Sequence, residues 1–157
     1  MTSLAHDRKP YVPEFKKVFK EMGVKMVHLA EFHGDGHPYA TTVTRLEELQ
    51  AQYDECKRLS DKEFLLIPGE EGMTYLGGHW SLLFPRPVYW FWNRQEGQPF
   101  QDRIAPYGDV YHLGSAADTY KLIVKEDGLA WQTHPRIKSS VDYPDRLVKQ
   151  DYYQDSR

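Results

Sequence analysis

Apolar and polar positions along the chain predict strands that alternate with helices. A helical stripe follows Pro13 and ends at Gly23, and the apolar run at 24–32 is long enough for a strand that is buried on both faces. A second helical stripe leads to a strand at 63–67, which the following Pro-Gly pair is expected to end. The second stripe consists of Val43, Leu46, Leu49, Tyr53, Cys56 and Leu59.

The second half of the chain adds three shorter strands and one helix to this pattern. We expect strands at 80–84, 109–113 and 129–133, and a long polar loop at 93–107. A helix at 115–127 precedes the last strand, with a serine at its start and a glycine directly after it. These elements complete a series in which strands and helices follow each other.

This alternation predicts an α/β fold with mostly parallel strands, because strands separated by helices are typical of parallel sheets. The length of 157 residues favours a single α/β domain over residues 1–157. Residues 1–10 are polar and are expected to form a flexible arm.

Composition and charge exclude several classes of protein. The formal net charge of −3 provides no basic surface for nucleic acid. No apolar stretch reaches the roughly 18 residues that span a bilayer, so we expect no membrane partner. The single cysteine, Cys56, cannot form an internal disulfide, which favours a reducing, cytoplasmic location. Cys56 lies on a helical apolar stripe and is expected in the core.

Histidine and carboxylate residues follow several of the predicted strands. Because the carboxyl ends of parallel strands meet at one edge of a sheet, we expect these side chains to converge there. Imidazole and carboxylate groups bind zinc, manganese and iron, so the pattern predicts a divalent metal site. The predicted ligands are His33, Glu71, His79, His134 and Glu31.

Side-chain alternation along the strands refines this hypothesis. On the first strand, Glu31 and His33 share one face, whereas His28 falls on the opposite face and is expected to pack in the core. Glu70 and Glu71 are adjacent and point apart, so one can bind a metal ion while the other supports it.

Basic residues after the last strand indicate an anionic substrate. Arg136 and Lys138 follow His134 closely, and a guanidinium group binds phosphate or carboxylate with two parallel hydrogen bonds. We therefore expect both residues to bind a small anionic substrate, with His37 in the glycine-rich loop as a further contact. Arg136 is the residue expected to orient the substrate for catalysis. The alternative is a solvated loop without a ligand.

The aromatic run at 88–92 allows two interpretations. A buried strand is favoured, because the run lacks polar alternation. The alternative is a carbohydrate-binding surface built on Tyr89, Trp90 and Trp92.

With these motifs the chain resembles the PHP superfamily of metal-dependent phosphoesterases, named for polymerase and histidinol phosphatase. The resemblance covers roughly residues 15–138. It implies a partial (β/α) TIM-like barrel and a hydrolase that acts on a phosphate ester or similar anionic substrate through a metal-activated water, with Glu71 as a bridging, catalytic carboxylate. The matching segments are the run from Gly23 to His33, the sequence Pro68-Gly69-Glu70-Glu71, His79, and the pair His134-Pro135.

The chain departs from this family at both ends of the pattern. It lacks the His-x-His pair of the family's opening strand, and no Asp-x-His follows its last predicted strand. We therefore expect a truncated relative, whose site is completed by a homo-oligomer or by the missing remainder of a longer chain. The alternative function is a non-catalytic module that keeps the scaffold, including the carbohydrate-binding surface described above.

Overall fold

A computed structural model of the chain describes residues 14–32, 42–72, 75–76 and 79–133, with only the backbone of residues 31 and 32. The helices of this part are α1 (Glu14–Glu21), α2 (Val43–Leu59) and α3 (Ala116–Lys125). The strands are β1 (Met26–Phe32), β2 (Leu65–Gly72), β3 (Trp80–Leu83), β4 (Tyr89–Phe91), β5 (Gln101–Ile104), β6 (Gly108–His112) and β7 (Leu129–Gln132).

The strands form two small mixed sheets. The first has the order β1-β2-β3-β7, in which β1 and β2 are parallel and β3 is antiparallel to both β2 and β7. The second has the order β4-β6-β5, with β4 parallel and β5 antiparallel to β6. Three of the five strand pairings are therefore antiparallel.

The predicted partial TIM-like barrel with mostly parallel strands is wrong. Among the described strands, only β1 and β2 are parallel neighbours joined through a helix, α2, as a parallel barrel requires. The connection from β2 to β3 spans only residues 73–79, which is too short for a parallel crossover of roughly a dozen residues or more. The chain therefore turns back, and β3 runs antiparallel to β2.

Two of the helix ends follow the predicted signals. Gly23, two residues after the end of α1, has a φ angle of +77°, a left-handed conformation that glycine adopts without strain. The Ser115 hydroxyl accepts a hydrogen bond of 3.1 Å from the Asp118 amide at the start of α3. These local signals therefore located the end of α1 and the start of α3.

Two strands differ from the prediction. The predicted loop at 93–107 contains β5, whose polar residues pair with β6 at one side of the second sheet. Strand β2 continues through Pro68 to Gly72. Its pairing with β3 begins only at Gly69, so Pro68, which lacks an amide hydrogen, lies outside that pairing.

The main core lies where α2, α3 and the two sheets meet. The aromatic run at 88–92 is buried there, with Trp90 and Trp92 each 1% exposed and Tyr89 6% exposed. The interpretation of this run as a buried strand is confirmed, and these three rings have no open face for a sugar. The core consists of Leu46, Leu49, Leu82, Val88, Tyr89, Trp90, Phe91, Trp92, Val110, Tyr111, Leu113 and Leu122.

A second, smaller core joins α1 to the first sheet. Phe15 and Phe19 of α1 pack against a buried cluster that consists of Cys56, Leu59, Phe64 and Leu66. Cys56 is therefore a core residue, as predicted. Among the described residues, no helix has the length and apolar character to cross a membrane.

An ion pair between Arg45 of α2 and Glu70 of β2 lies inside the main core. Both side chains are 1% exposed, and Arg45 Nη2 donates to Glu70 Oε2 at 2.5 Å. The Nε atom of Arg45 donates to the Trp90 carbonyl at 2.7 Å, and Trp92 Nε1 donates to Glu70 Oε1 at 2.9 Å. Burial raises the pKa of the Glu70 carboxyl, and the positive charge of Arg45 opposes this effect.

Replacing Arg45 with Met should reduce the free energy of unfolding by about 3–5 kcal/mol, because the substitution leaves Glu70 as an uncompensated buried charge. Replacing Glu70 with Gln in the same chain should recover part of this loss, since the amide is neutral and still accepts from Trp92. Urea unfolding followed by tryptophan fluorescence measures both variants. If the double variant loses at least as much free energy of unfolding as the two single variants lose together, this interpretation is contradicted.

Asp61 forms an ion pair with Lys16 of α1, with 2.7 Å between Asp61 Oδ2 and Lys16 Nζ. Its Oδ1 atom also accepts from the amides of Glu63 and Phe64 at 2.8 and 3.0 Å. The Lys16 ammonium and these amide donors lower the pKa of Asp61 to about 2. The ionised carboxylate therefore attaches α1 to the turn before β2.

Replacing Asp61 with Asn should lower the melting temperature at pH 7, because the amide keeps the Oδ1 acceptor but loses the charge. The lowered pKa means that this carboxylate stabilises the fold above its unfolded pKa near 3.8 and stops doing so as the pH falls toward 2. The difference between variant and wild type should therefore vanish near pH 2. Thermal melts from pH 7 to pH 2 check this, with Asp127→Asn as a control, and a difference independent of pH would contradict it.

Candidate functional site

The ends of four strands meet at one edge of the first sheet. Because β3 is antiparallel to both β2 and β7, strand β7 runs in the same direction as β1 and β2. The carboxyl ends of these three strands therefore lie beside the amino end of β3. We call this the site edge, defined by residues 32, 71–72, 79–80 and 132–133.

At the site edge, Glu70 and Glu71 point to opposite faces of β2, as predicted. Glu70 faces the main core and is held by Arg45 and Trp92. Glu71 pairs in register with Ser81 of β3, and its side chain is 20% exposed. Its carboxylate is therefore on the face of the sheet that is turned away from α2, which we call the open face. The open face is marked by Glu71, Ser81 and Trp131, which share one row across the strands.

Three side chains of the site edge lie in contact on the open face. Glu71 Oε1 is 3.4 Å from His79 Nδ1, and Glu71 Oε1 also accepts from the Thr133 hydroxyl at 2.8 Å. The Thr133 amide donates to the His79 carbonyl at 3.0 Å, which continues the pairing of β7 with β3 beyond its last strand residue. The end of β2 and the start of β3 thus bring a carboxylate and an imidazole together, and Thr133 after β7 contacts both residues.

His28 lies on the open face rather than in the core. Val27 and Leu29, its neighbours in β1, pack in the smaller core, so alternation directs His28 to the other side. Its Nε2 atom is buried without a hydrogen-bond partner and lies over Gly69. Burial lowers the pKa of the His28 imidazole, and the charge of Glu71 opposes this effect. The register of β1 with β2 places His28 and Glu71 on the same side of the sheet.

The described residues therefore contain part of the predicted ligand set. Glu71 and His79 are brought together, and the backbone of Glu31 pairs in register with Glu70 rather than with Glu71. The described part of the chain holds no group of three or more histidine, cysteine, aspartate or glutamate side chains close enough to bind a metal ion. The other predicted site residues, His33, His37, His134, Arg136 and Lys138, lie outside the described residues.

Sequence reasoning missed the contributions of Thr133 and His28. Thr133 was assigned to the last strand, but its hydroxyl could be linked to Glu71 only once the direction of β7 was known. For His28, the run at 24–32 is apolar on both faces, so periodicity could not tell the core face from the open face. The available signal was Gly69, since a glycine inside a strand often marks the close approach of another group.

Comparisons of the chain with models of known protein families, with curated proteins and with solved structures found no match. The resemblance to the PHP superfamily therefore stays a prediction from the motifs. The geometry of the described residues carries the functional argument.

Replacing Gly69 with Ala should reduce the free energy of unfolding by about 1–3 kcal/mol, the usual cost of overpacking. The added methyl group would lie 1.9 Å from His28 Nε2 and 3.0 Å from the Leu82 carbonyl oxygen. Replacing His28 with Ala in the same chain should recover part of the loss, and urea unfolding measures both. If Gly69→Ala is neutral, or His28→Ala gives no relief, His28 does not lie over Gly69.

Proposed function

We propose that the protein is a metal-dependent hydrolase that acts on a phosphate ester or similar anionic substrate at the site edge. The observation that carries this proposal is the contact between Glu71 and His79, 3.4 Å apart on the open face. Their side chains are 20% and 26% exposed, so an ion and a substrate can reach them from solvent. A carboxylate and an imidazole are a donor pair that zinc, manganese and iron accept.

The sequence places two further candidate ligands directly after residues of the site edge. Phe32, the last residue of β1, pairs with Glu71, and His33 follows it directly in the sequence. Thr133 contacts both Glu71 and His79, and His134 follows it directly. Each of these histidines is joined by one peptide unit, about 3.8 Å between Cα atoms, to a residue of the site edge. We therefore propose His33 and His134 as additional ligands, with Glu31 nearby in the chain.

The residues of the chain would have different roles in such a site. A divalent ion held by these ligands would supply a Lewis acid that activates water and offsets the negative charge of a phosphate ester. The Thr133 hydroxyl holds Glu71 in place, in the way that residues behind a ligand often fix its orientation. Arg136 is proposed to orient the anionic group of the substrate, with Lys138 and His37 as further contacts.

The alternative of a non-catalytic module with a sugar surface at 88–92 finds less support, because its aromatic rings are buried. A cytoplasmic location remains a proposal from the single cysteine, which is buried as a thiol. We also propose that a second copy or a longer chain contributes to the site, since the sequence lacks the family's opening His-x-His pair.

Replacing Glu71 with Gln, or His79 with Ala, should weaken the binding of Zn²⁺ and Mn²⁺ by more than about 10-fold. A loss of that size is usual even for residues that only support a ligand. Equilibrium dialysis of untagged protein, followed by elemental analysis, measures the bound metal. Hydrolysis of p-nitrophenyl phosphate by the metal-loaded chain tests the activity, which should disappear in both variants.

The matched control is Glu96→Gln, which removes the same charge from an exposed turn far along the chain from the site edge. It should bind metal as the wild type does. If the Glu71 and His79 variants also retain full metal binding while remaining folded, the site assignment is wrong.

A further inference from the structure

Strand β7 lies at one end of the first sheet, and among the described strands it pairs only with β3. The Thr133 amide donates to the carbonyl of His79, which lies directly opposite in the register of the two strands. Hydrogen-bonded and non-hydrogen-bonded pairs alternate along an antiparallel ladder, so Trp131 also directs its backbone groups toward β3. The amides and carbonyls of Ala130 and Gln132 therefore point away from β3, along the outer edge of β7.

The residues of β7 carry none of the features that usually prevent a sheet edge from pairing with another chain. Such edges are commonly protected by charged side chains, by proline or by a bulge. Strand β5, at one edge of the second sheet, carries the exposed residues Asp102 and Arg103. In contrast, β7 has the sequence Leu-Ala-Trp-Gln and a continuous register with β3. Its edge is therefore suited to pair with a further strand.

The outward backbone groups of β7 are complementary to those of a second copy of the same strand. A two-fold axis at Trp131, perpendicular to the sheet, sets Ala130 of each copy opposite Gln132 of the other. Both residues direct their amides and carbonyls outward, so each of the two pairs exchanges hydrogen bonds in both directions. The run from Gly128 to Thr133 has no charged residue, so this antiparallel pairing opposes no like charges within it.

The same pairing covers the two exposed apolar side chains of β7. Leu129 and Trp131 are 66% and 69% exposed, and both lie on the open face. Trp131 would lie directly opposite its own copy in a non-hydrogen-bonded pair, in which Cα atoms are about 4.5 Å apart and side chains are close. Aromatic side chains opposed in this way stabilise strand pairing. Leu129 of each copy would lie diagonally beside them.

We propose that two copies of this chain pair through the outer edges of β7 in antiparallel orientation, so that the first sheet continues from one copy into the other. Because β7 contributes only four residues, the interface is small, which suits a reversible dimer that forms at micromolar concentrations. The inference does not depend on the proposed function, since it uses backbone groups and side chains that are not among the proposed metal ligands.

The first test is sedimentation equilibrium of the full chain over a range of micromolar concentrations. The wild type should change from monomer to dimer as its concentration rises. Trp131→Lys and Trp131→Glu should each weaken the dimer by about 10-fold or more, because two like charges then lie directly opposite each other. An equimolar mixture of these two variants, one of them carrying a fluorescent label, should recover a dimer, because opposite charges then face each other.

The matched control is Met22→Lys, which places the same charge at another exposed apolar residue, 70% exposed and just after α1. It should form dimers like the wild type. A wild type that stays monomeric throughout, or a dimer that Trp131→Lys leaves intact, would overturn the proposal. Equal weakening by Trp131→Lys and Met22→Lys, or no association in the mixture, would overturn the proposed register.

The second test is amide hydrogen exchange of the wild type, measured residue by residue with NMR, which requires no substitution. The amides of Ala130 and Gln132 should exchange more slowly as the protein concentration rises, because only the dimer gives them acceptors. The Trp131 amide, which faces β3, should be protected at low and high concentration alike. If exchange at Ala130 and Gln132 is independent of concentration while dimers form, the copies associate through another surface and the proposal is wrong.

Metal content separates this inference from the proposed function. Glu71→Gln should form dimers like the wild type, because Glu71 lies two strands away from the outer edge of β7. A dimer of the wild type without bound Zn²⁺ or Mn²⁺ would refute the metal-dependent hydrolase and leave the pairing of β7 intact. Metal binding by a strictly monomeric chain would refute the pairing alone.

Discussion

The buried ion pair between Arg45 and Glu70 determines how the rest of the structure is arranged. It joins α2 to β2 and, through Trp90 and Trp92, to the second sheet. Because successive side chains of a strand point to opposite faces, fixing Glu70 in the core directs Glu71 outward. A slip of β2 by one residue would turn Glu70 and the core residue Leu66 to the other face of the sheet. The core therefore sets the register on which the candidate site depends.

The same sheet explains how a site forms without a barrel. In a parallel barrel, all strand carboxyl ends meet at one rim. Here β3 lies between β2 and β7 and is antiparallel to both, so β2 and β7 run in the same direction. His79 therefore approaches Glu71 from the amino end of its strand, and Thr133 approaches from the carboxyl end of β7. A mixed sheet of four strands is sufficient to gather these groups at one edge.

Apolar periodicity predicted most of the elements, but it could not predict how the strands are directed. The helix signals at Gly23 and Ser115 are local, so they could be identified from neighbouring residues alone. Strand direction depends on the length of the connection, and the short segment at 73–79 was the overlooked sign that β3 turns back. The contact of Glu71 with His79 was predicted on the assumption of parallel strands, whereas β3 is antiparallel to β2. The motifs predicted this one contact, although the barrel they implied is absent from the described residues.

The central claim is that Glu71 and His79 hold a divalent ion on the open face of the first sheet. Anomalous diffraction from crystals grown with Zn²⁺ tests it most directly, because the method locates the ion itself. We predict a peak about 2.0–2.2 Å from a carboxylate oxygen of Glu71 and from an imidazole nitrogen of His79. A crystal in which zinc is found only at other positions, or at none, would contradict the claim.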